Sequence, residues 1–149
     1  MPRLQHKQQK LVVLFDAENV SHHLVPPILL RAACYGALLV KRAYADWSRP
    51  AMHRFKNVLL HNAIEPVQLF PYAKGKNAAD ILLCLEAMAL ANTGQYDGVC
   101  LASSDSDLTP LAYCIRREGL RVYGFGARQT PRAFVAACSR FIYTESMGR

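Results

Sequence analysis

Two aspartates spaced two residues apart are the feature of this sequence most suited to chemistry. Asp105 and Asp107 follow the apolar run Val99–Ala102 and a pair of serines. Two carboxylates this close repel each other unless a cation lies between them. Hard oxygen ligands of this kind suit magnesium or manganese. The pair therefore predicts a divalent metal site, with Ser104 beside it as a candidate substrate contact.

The alternative is that both aspartates are ordinary turn or helix-capping residues, since aspartate is common in turns. Thr109 and Pro110 argue against capping, because threonine is a good N-cap and proline suits the first helical position. The helix start is thus accounted for without the aspartates. They are expected between the carboxyl end of a strand and a helix, where open α/β sheets bind ligands.

Two further aspartates could join this site. Asp16 ends the continuous apolar run Leu11–Phe15, which is typical of a strand buried on both faces. Asp80 falls in the first turn of a predicted helix that Asn77 would cap, where an acid also stabilises the helix dipole without any catalytic role. If the first and fourth strands are neighbours, both strand ends face one crevice. Several carboxylates there could hold one or two cations and support phosphoryl chemistry.

Other motifs fit known chemistries less well. His22 and His23 are adjacent and are expected to point apart, in surface or capping roles rather than as metal ligands. Gly124-x-Gly126 lacks the third glycine of a dinucleotide-binding loop. Asp105 to Thr109 also matches the D-x-D-x-T signature of haloacid-dehalogenase-like phosphotransferases. Serines precede the first aspartate, however, and too few residues follow for that family's later motifs.

The composition argues against a membrane-spanning or secreted protein. The chain has 149 residues, of which 52% are hydrophobic, enough for one domain with a real core. No apolar run approaches the roughly 20 residues that span a bilayer, and the polar, basic start does not resemble a secretory signal. Five dispersed cysteines without a C-x-x-C pair favour reduced thiols in the cytoplasm.

The net charge of +7 favours a polyanionic partner such as nucleic acid. Basic residues cluster near predicted element ends, and Lys76 and Arg128 are candidate phosphate contacts. Acidic residues are few, and several gather at the proposed site. A positive surface around a small acidic pocket suits a nuclease, because cations hold the phosphates and carboxylates hold the metal.

Strands alternate with helices along the chain. This order predicts an α/β fold, a three-layer α/β/α sandwich with a mostly parallel central sheet. Residues 1–10 are expected to form a flexible basic arm before a single domain at 11–145. The predicted strands are Leu11–Phe15, Ala37–Tyr44, Ile64–Phe70, Val99–Ala102, Arg121–Phe125 and Phe141–Tyr143, with helices at Leu24–Tyr35, Pro50–Asn62, 77 to about 92, Pro110–Glu118 and Phe134–Cys138.

Together the motifs resemble the NYN domain family, PIN-like nucleases that include the LabA-like proteins. The matching pieces, which extend over nearly the whole chain, are Leu14-Phe-Asp16-Ala-Glu-Asn19, Tyr44-Ala-Asp46-Trp47, Gly75-Lys-Asn77-Ala-Ala-Asp80, Ser103-Ser-Asp105-Ser-Asp107-Leu-Thr-Pro110, Val122-Tyr-Gly-Phe-Gly126 and Thr130-Pro-x-x-Phe134.

The resemblance implies a PIN-like sheet with the first strand central and the fourth beside it. It also implies an acidic site on four carboxylates, with Asn19 near the first of them: Asp16, Asp80, Asp105 and Asp107. Bacterial relatives often carry a LOTUS (OST-HTH) module after this domain. None follows here, so substrate selection is expected from the chain's own basic surface or from a partner protein.

The expected function is that of a cytoplasmic ribonuclease dependent on Mg²⁺ or Mn²⁺, in which a metal-activated water hydrolyses RNA. Lys76, Asn77, Ser104 and Arg128 are its candidate substrate contacts. A catalytically weak RNA-binding module and a phosphatase with Asp105 as nucleophile remain alternatives. The sequence does not decide whether the substrate is RNA or DNA, nor does it give the oligomeric state.

Overall fold

A computed structural model of the chain describes residues 8–70, 78–104 and 108–147, and the side chains after the first of these gaps are described from Ile81 onward. Six parallel strands form one sheet in the order β3-β2-β1-β4-β5-β6. The strands are β1 (Lys10–Asp16), β2 (Ala37–Ala45), β3 (Glu65–Gln68), β4 (Gly98–Ala102), β5 (Arg121–Gly126) and β6 (Arg140–Tyr143). The helices in this part of the chain are α1 (Val25–Ala33), α2 (Lys56–His61), α3 (Ala78–Ala91), α4 (Thr109–Arg117) and α5 (Arg132–Ala137).

Helices cover both faces of the sheet, so the central strand is apolar on both sides. Leu11, Val13 and Phe15 point to the layer of α1 and α2, and Val12 and Leu14 point to the layer of α3, α4 and α5. All five side chains are fully buried. The three-layer α/β/α sandwich predicted from the sequence is therefore confirmed.

The winding of the sheet reverses beside β1. The chain adds β2 and then β3 on one side of β1, and then returns to add β4, β5 and β6 on the other. Phe15 of β1 and Ala102 of β4 are register partners, so the two strands end together. The carboxyl edge between them is the crevice in which open α/β sheets bind ligands.

Element bounds differ from the predicted ones by a few residues. The predicted helix over 50–62 consists of a 3-10 helix, Pro50–Phe55, followed by α2. Pro66 lies inside β3, which is tolerated because β3 is an edge strand and proline offers no amide hydrogen to a further neighbour. The sheet also begins one residue before the predicted domain start, at Lys10. Element ends commonly shift this much.

A second Thr-Pro pair, Thr130 and Pro131, lies just before α5. α5 begins at Arg132, and the Thr130 hydroxyl donates to the carbonyl of Ala127 at 2.6 Å instead of capping the helix. α4 begins at Thr109, with Pro110 in its first turn and Leu108 at the N-cap position, so Thr109 is the first helical residue and not the N-cap that the sequence predicted. Within the described residues, none of the helices has the length and apolar character that crossing a membrane requires.

Candidate active site at the carboxyl edge of the sheet

Asp16 is a buried carboxylate at the last position of β1, with 1% of its surface exposed. Its Oδ2 accepts hydrogen bonds from the Asn19 side-chain amide and from the Ser103 hydroxyl, each at 2.9 Å. Burying a carboxylate is unfavourable unless donors replace its water. These two donors orient the carboxylate from its own loop and from the end of the neighbouring strand.

Local backbone structure explains why these groups meet. A single 3-10 turn, Ala17–Asn19, follows β1 directly and brings Asn19 back over Asp16. On the β4 side, the Ser103 amide donates to the carbonyl of Phe125 at 3.0 Å, and the Ser104 amide donates to the carbonyl of Asn19 at 3.3 Å. The two serines are therefore held between β5 and the loop after β1.

Gly126, at the end of β5, allows this close approach. A Cβ atom on Gly126 would lie 2.6 Å from the Ser103 carbonyl oxygen and 2.6 Å from the Thr130 hydroxyl oxygen. No side chain fits there without displacing backbone. In the sequence, this glycine lies in an incomplete nucleotide-binding loop and in one of the motifs that resemble the NYN family, but neither motif predicted its contact with Ser103. Its role in the structure is to let β5 pack against the residue that orients Asp16.

A second polar network lies on the β2 side of Asp16. Glu18 accepts the backbone N–H of Asp46 at 2.9 Å and pairs with Arg49 at 3.7 Å. Asp46 in turn accepts the Ser48 hydroxyl at 2.6 Å and the Gln68 amide at 2.9 Å. These hydrogen bonds, that from the Ser48 side chain foremost, hold the pKa of Asp46 below its usual range. The Asp46 carboxylate is thus held by hydrogen bonds from Ser48 and Gln68.

Apart from Asp80, the predicted site residues separate into three groups. Asp16, Asn19 and Ser104 come together at the corner of β1 and β4. Arg128 lies exposed on the loop after β5, at the same edge, and its backbone N–H donates to both carboxylate oxygens of Glu145 at 3.1 Å. The others, including both aspartates of the D-x-D motif, lie outside the described residues: Lys76, Asn77, Asp105 and Asp107.

Asp80 is placed by its backbone alone. It falls in the first turn of α3, and its side chain is outside the described part of the chain. α3 connects the end of β3 to the start of β4 and packs on β1, β2 and β4. The helix therefore runs opposite to the strands, which puts its first turn at the carboxyl edge.

The donor set at this corner suits a hard divalent cation. It offers the Asp16 carboxylate, the Asn19 amide oxygen and two serine hydroxyls, all oxygen donors of the kind that magnesium and manganese prefer. Residues 8–70, 81–104 and 108–147 contain no cluster of three or more His, Cys, Asp or Glu side chains that could hold a metal. A complete metal site at this edge would thus require the other predicted aspartates.

A solved structure has the same fold. The chain resembles the crystal structure of a protein of unknown function from Vibrio parahaemolyticus, with a TM-score of 0.74 and 22% identity over 91% of this chain and 93% of that one. At this identity the likeness concerns the fold. No curated protein matches the sequence.

The family profile of the NYN domain matches residues 10–145, from the first residue of β1 to just beyond β6. This span contains the whole sheet, all five helices and the corner that Asp16 occupies. The chain therefore belongs to the NYN domain family, whose fold is that of the PIN-like nucleases.

Proposed function

We propose that this protein is a divalent-metal-dependent ribonuclease whose active site lies at the carboxyl edge of β1 and β4. One observation carries the proposal. Asp16 is buried where the winding of the sheet reverses, and Asn19 and Ser103 hold its carboxylate in one orientation. Membership of the NYN domain family supports a nuclease, since nucleases of this fold generally use divalent metal ions.

Each residue has a distinct role in this proposal. Asp16, with Asp80, Asp105 and Asp107, would hold Mg²⁺ or Mn²⁺. When bound, such an ion neutralises charge on a phosphodiester and makes a water molecule more acidic. Asn19 and Ser103 keep Asp16 oriented, and the substrate contacts are expected from four residues around the edge: Lys76, Asn77, Ser104 and Arg128. A partner protein could add substrate selection.

Two other functions would use overlapping residues. A binding module of the same fold would hold RNA without turnover, and the net charge of +7 supports binding in either case. A phosphatase would use Asp105 as a covalent nucleophile and Asp107 as proton shuttle, and it would leave Asp16 outside the chemistry. The buried, oriented carboxylate of Asp16 therefore favours the nuclease.

Asp16→Asn is the decisive variant. Purified protein is incubated with labelled single-stranded RNA and DNA, with Mn²⁺ or with EDTA. We expect RNA cleavage that requires the metal and a loss on the order of 100-fold or more in Asp16→Asn. The variant should fold, because the asparagine carbonyl still accepts from Asn19 and Ser103. Asp97→Asn, at the opposite edge of the sheet, makes the same chemical change as a control.

Three results would contradict the proposal. Cleavage by Asp16→Asn at the parent rate would remove this carboxylate from the mechanism. A phosphate trapped covalently on Asp105 would establish the phosphatase instead. RNA binding without cleavage by the parent, in Mn²⁺ as in EDTA, would leave a binding module.

A further inference from the structure

We propose that His22, His23 and Arg54 form a phosphate-binding subsite that holds the RNA strand beside the proposed active site. The inference rests on the proposed ribonuclease function. It goes beyond it by naming where the strand runs and which groups hold it. None of these three residues was predicted from the sequence to contact substrate.

The two histidine rings lie against each other instead of pointing apart. Their centroids are 3.9 Å apart with an angle of 37° between the ring planes. They belong to a 3-10 helix, His22–Leu24, whose N-cap Ser21 accepts the His23 N–H at 3.3 Å. Phe55 packs edge-on against His22 at 5.9 Å. The 3-10 turn and the contact with Phe55 together bring the two imidazole rings next to each other.

Arg54 adds a permanent positive charge to this spot. Partial burial, His23 and Arg54 together lower the pKa of His22. An imidazole that lies beside a second ring and a guanidinium is harder to protonate until an anion arrives. A phosphodiester group, which is negative at every physiological pH, would supply that anion and allow His22 to take up a proton.

The neighbouring carboxylates are hydrogen-bonded to groups other than the histidines. Glu18 accepts the Asp46 N–H and pairs with Arg49. Glu145, which lines a groove together with His23, accepts the Arg128 N–H, and its pKa is lowered by that bond. Within the described residues, neither histidine forms an ion pair with an acid.

The surrounding surface has the charge that a nucleic acid requires. Residues 47–60 contain no aspartate or glutamate. Their basic and histidine side chains are Arg49, His53, Arg54 and Lys56, all of them exposed. A run of positively charged side chains attracts a polyanion and releases the counterions of that polyanion on contact.

The subsite is close to the proposed active site along the chain and rigidly built. His22 follows Asp16 by six residues, and Asn19, between them, is held to both Asp16 and Ser104. Phe55 is itself supported by Trp47, at 5.8 Å edge to face. The Trp47 indole N–H is fixed on the carbonyl of Val67 at 2.9 Å. An RNA strand with its scissile phosphate at Asp16 would therefore place a flanking phosphate on a firm surface.

The test measures binding without cleavage. A short single-stranded RNA is titrated in EDTA at about pH 5.5 and about pH 7.5, and His22 is followed by NMR. We expect the pKa of His22 to rise on RNA saturation. A rise of one unit makes binding tighter at the lower pH by up to about tenfold, because RNA binding is then coupled to the uptake of a proton. Inorganic phosphate as competitor, at equal phosphate concentration, should shift His22 less than RNA does.

The variant carrying both His22→Asn and His23→Asn should lose most of this pH dependence and lower the salt slope of binding by about one unit. His61→Asn is the matched control. It removes an exposed histidine from the last turn of α2, just before β3 starts at the amino edge of the sheet. It should keep the parent's pH dependence.

An unchanged His22 pKa in the RNA complex would overturn the subsite. So would a double variant that binds RNA with the parent's pH and salt dependence. If the parent cleaves RNA while either result holds, the subsite fails and the ribonuclease stands. A parent that neither binds nor cleaves RNA would overturn both.

Discussion

At the scale of single residues, the position of the Asp16 carboxylate depends on its two donors. Asn19 is part of the same turn and would follow Asp16 in any local rearrangement. Ser103 belongs to another strand end, 87 residues away in sequence. Of the two, the serine ties the carboxylate to the rest of the proposed site, because Ser103 immediately precedes Ser104 and the D-x-D motif.

Ser103→Ala should lower the cleavage rate by about 10- to 100-fold, the usual effect of losing a group that orients a metal ligand. The physical reason is that Asp16 Oδ2 loses one of its two described donors and gains freedom to rotate. Metal dependence should shift as well, with more Mn²⁺ needed for half-maximal activity. Steady-state cleavage measured across a Mn²⁺ series checks both effects.

Ser139→Ala provides the comparison for this prediction. Its hydroxyl accepts the Val122 N–H at 2.9 Å, near the start of β5 and away from the carboxyl edge. It should leave the rate and the metal requirement unchanged. If Ser103→Ala behaves like Ser139→Ala, the hydroxyl of Ser103 does not orient a catalytic group.

At the scale of elements, the end of β5 determines where Ser103 can lie. Gly126→Ala places a methyl group within 2.6 Å of the Ser103 carbonyl, which is backbone and cannot swing away. We expect a loss of about 1–3 kcal/mol in the free energy of unfolding from overpacking. We also expect slower cleavage by the protein that remains folded, because Ser103 is displaced. Urea denaturation and cleavage at low temperature measure the two effects separately.

Gly94→Ala is the control that separates the effect of backbone strain from the effect of displacing Ser103. Gly94 has φ of +73°, and a Cβ there meets nothing within 4 Å. Alanine should therefore cost about 1 kcal/mol of stability through its left-handed backbone alone. The folded variant should cleave RNA at the parent rate. If Gly126→Ala does so too, the close approach of β5 is structural only.

Helix α3 is attached to the sheet by one polar cluster within the described residues. The Tyr44 hydroxyl donates to Glu86 at 2.5 Å, and Arg42 contacts the same carboxylate oxygen at 3.1 Å. The rest of the helix from Ile81 to Ala91 is apolar. This cluster fixes the rotation of the helix whose first turn carries Asp80.

At the scale of the whole molecule, buried ionisable groups predict a loss of stability in alkali. Burial raises the pKa of the Cys100 thiol to about 12, and likewise that of Cys138, where Arg116 opposes the shift. Burial and the bond to Glu86 also raise the pKa of Tyr44. The unfolded chain releases these protons first, so the stabilisation is complete below about pH 8.5 and is lost as the pH rises toward 12.

Melting temperatures in reductant should therefore fall between about pH 8 and pH 10.5. Replacing Cys100 and Cys138 together with alanine should flatten this fall, although the variant starts from a lower melting temperature because of the cavities. A parent melting temperature that stays level over this range would mean that the two thiols ionise equally in both states.

The positive charge of the molecule predicts salt-sensitive RNA binding. Arg128→Ala should lower the slope of log K against log salt by about one unit, since it removes one proposed phosphate contact. The backbone N–H that holds Glu145 is kept in this variant. Arg117→Ala, in the last turn of α4, is the matched control and should keep the parent slope. Affinity that does not change with salt would argue against a phosphate track.

The sequence by itself determined the parts of this protein that depend on local pattern. Continuous apolar runs predicted the buried strands, and their alternation with helices predicted the parallel sandwich, because periodicity follows from the geometry of each element. The same reasoning placed Asp16 at a strand end, and the resemblance of the motifs indicated the NYN domain family. Asp105 and Asp107, outside the described residues, stay predictions of this kind.

Only the tertiary structure decided which strand ends meet. The bond from Ser103 to Asp16 depends on β4 lying next to β1, and strand order is set by how whole layers pack rather than by any local run of residues. The close fit at Gly126 and the stacked rings of His22 and His23 have the same origin. Contacts between residues far apart in sequence arise when side chains pack, so the pattern of one segment cannot contain them.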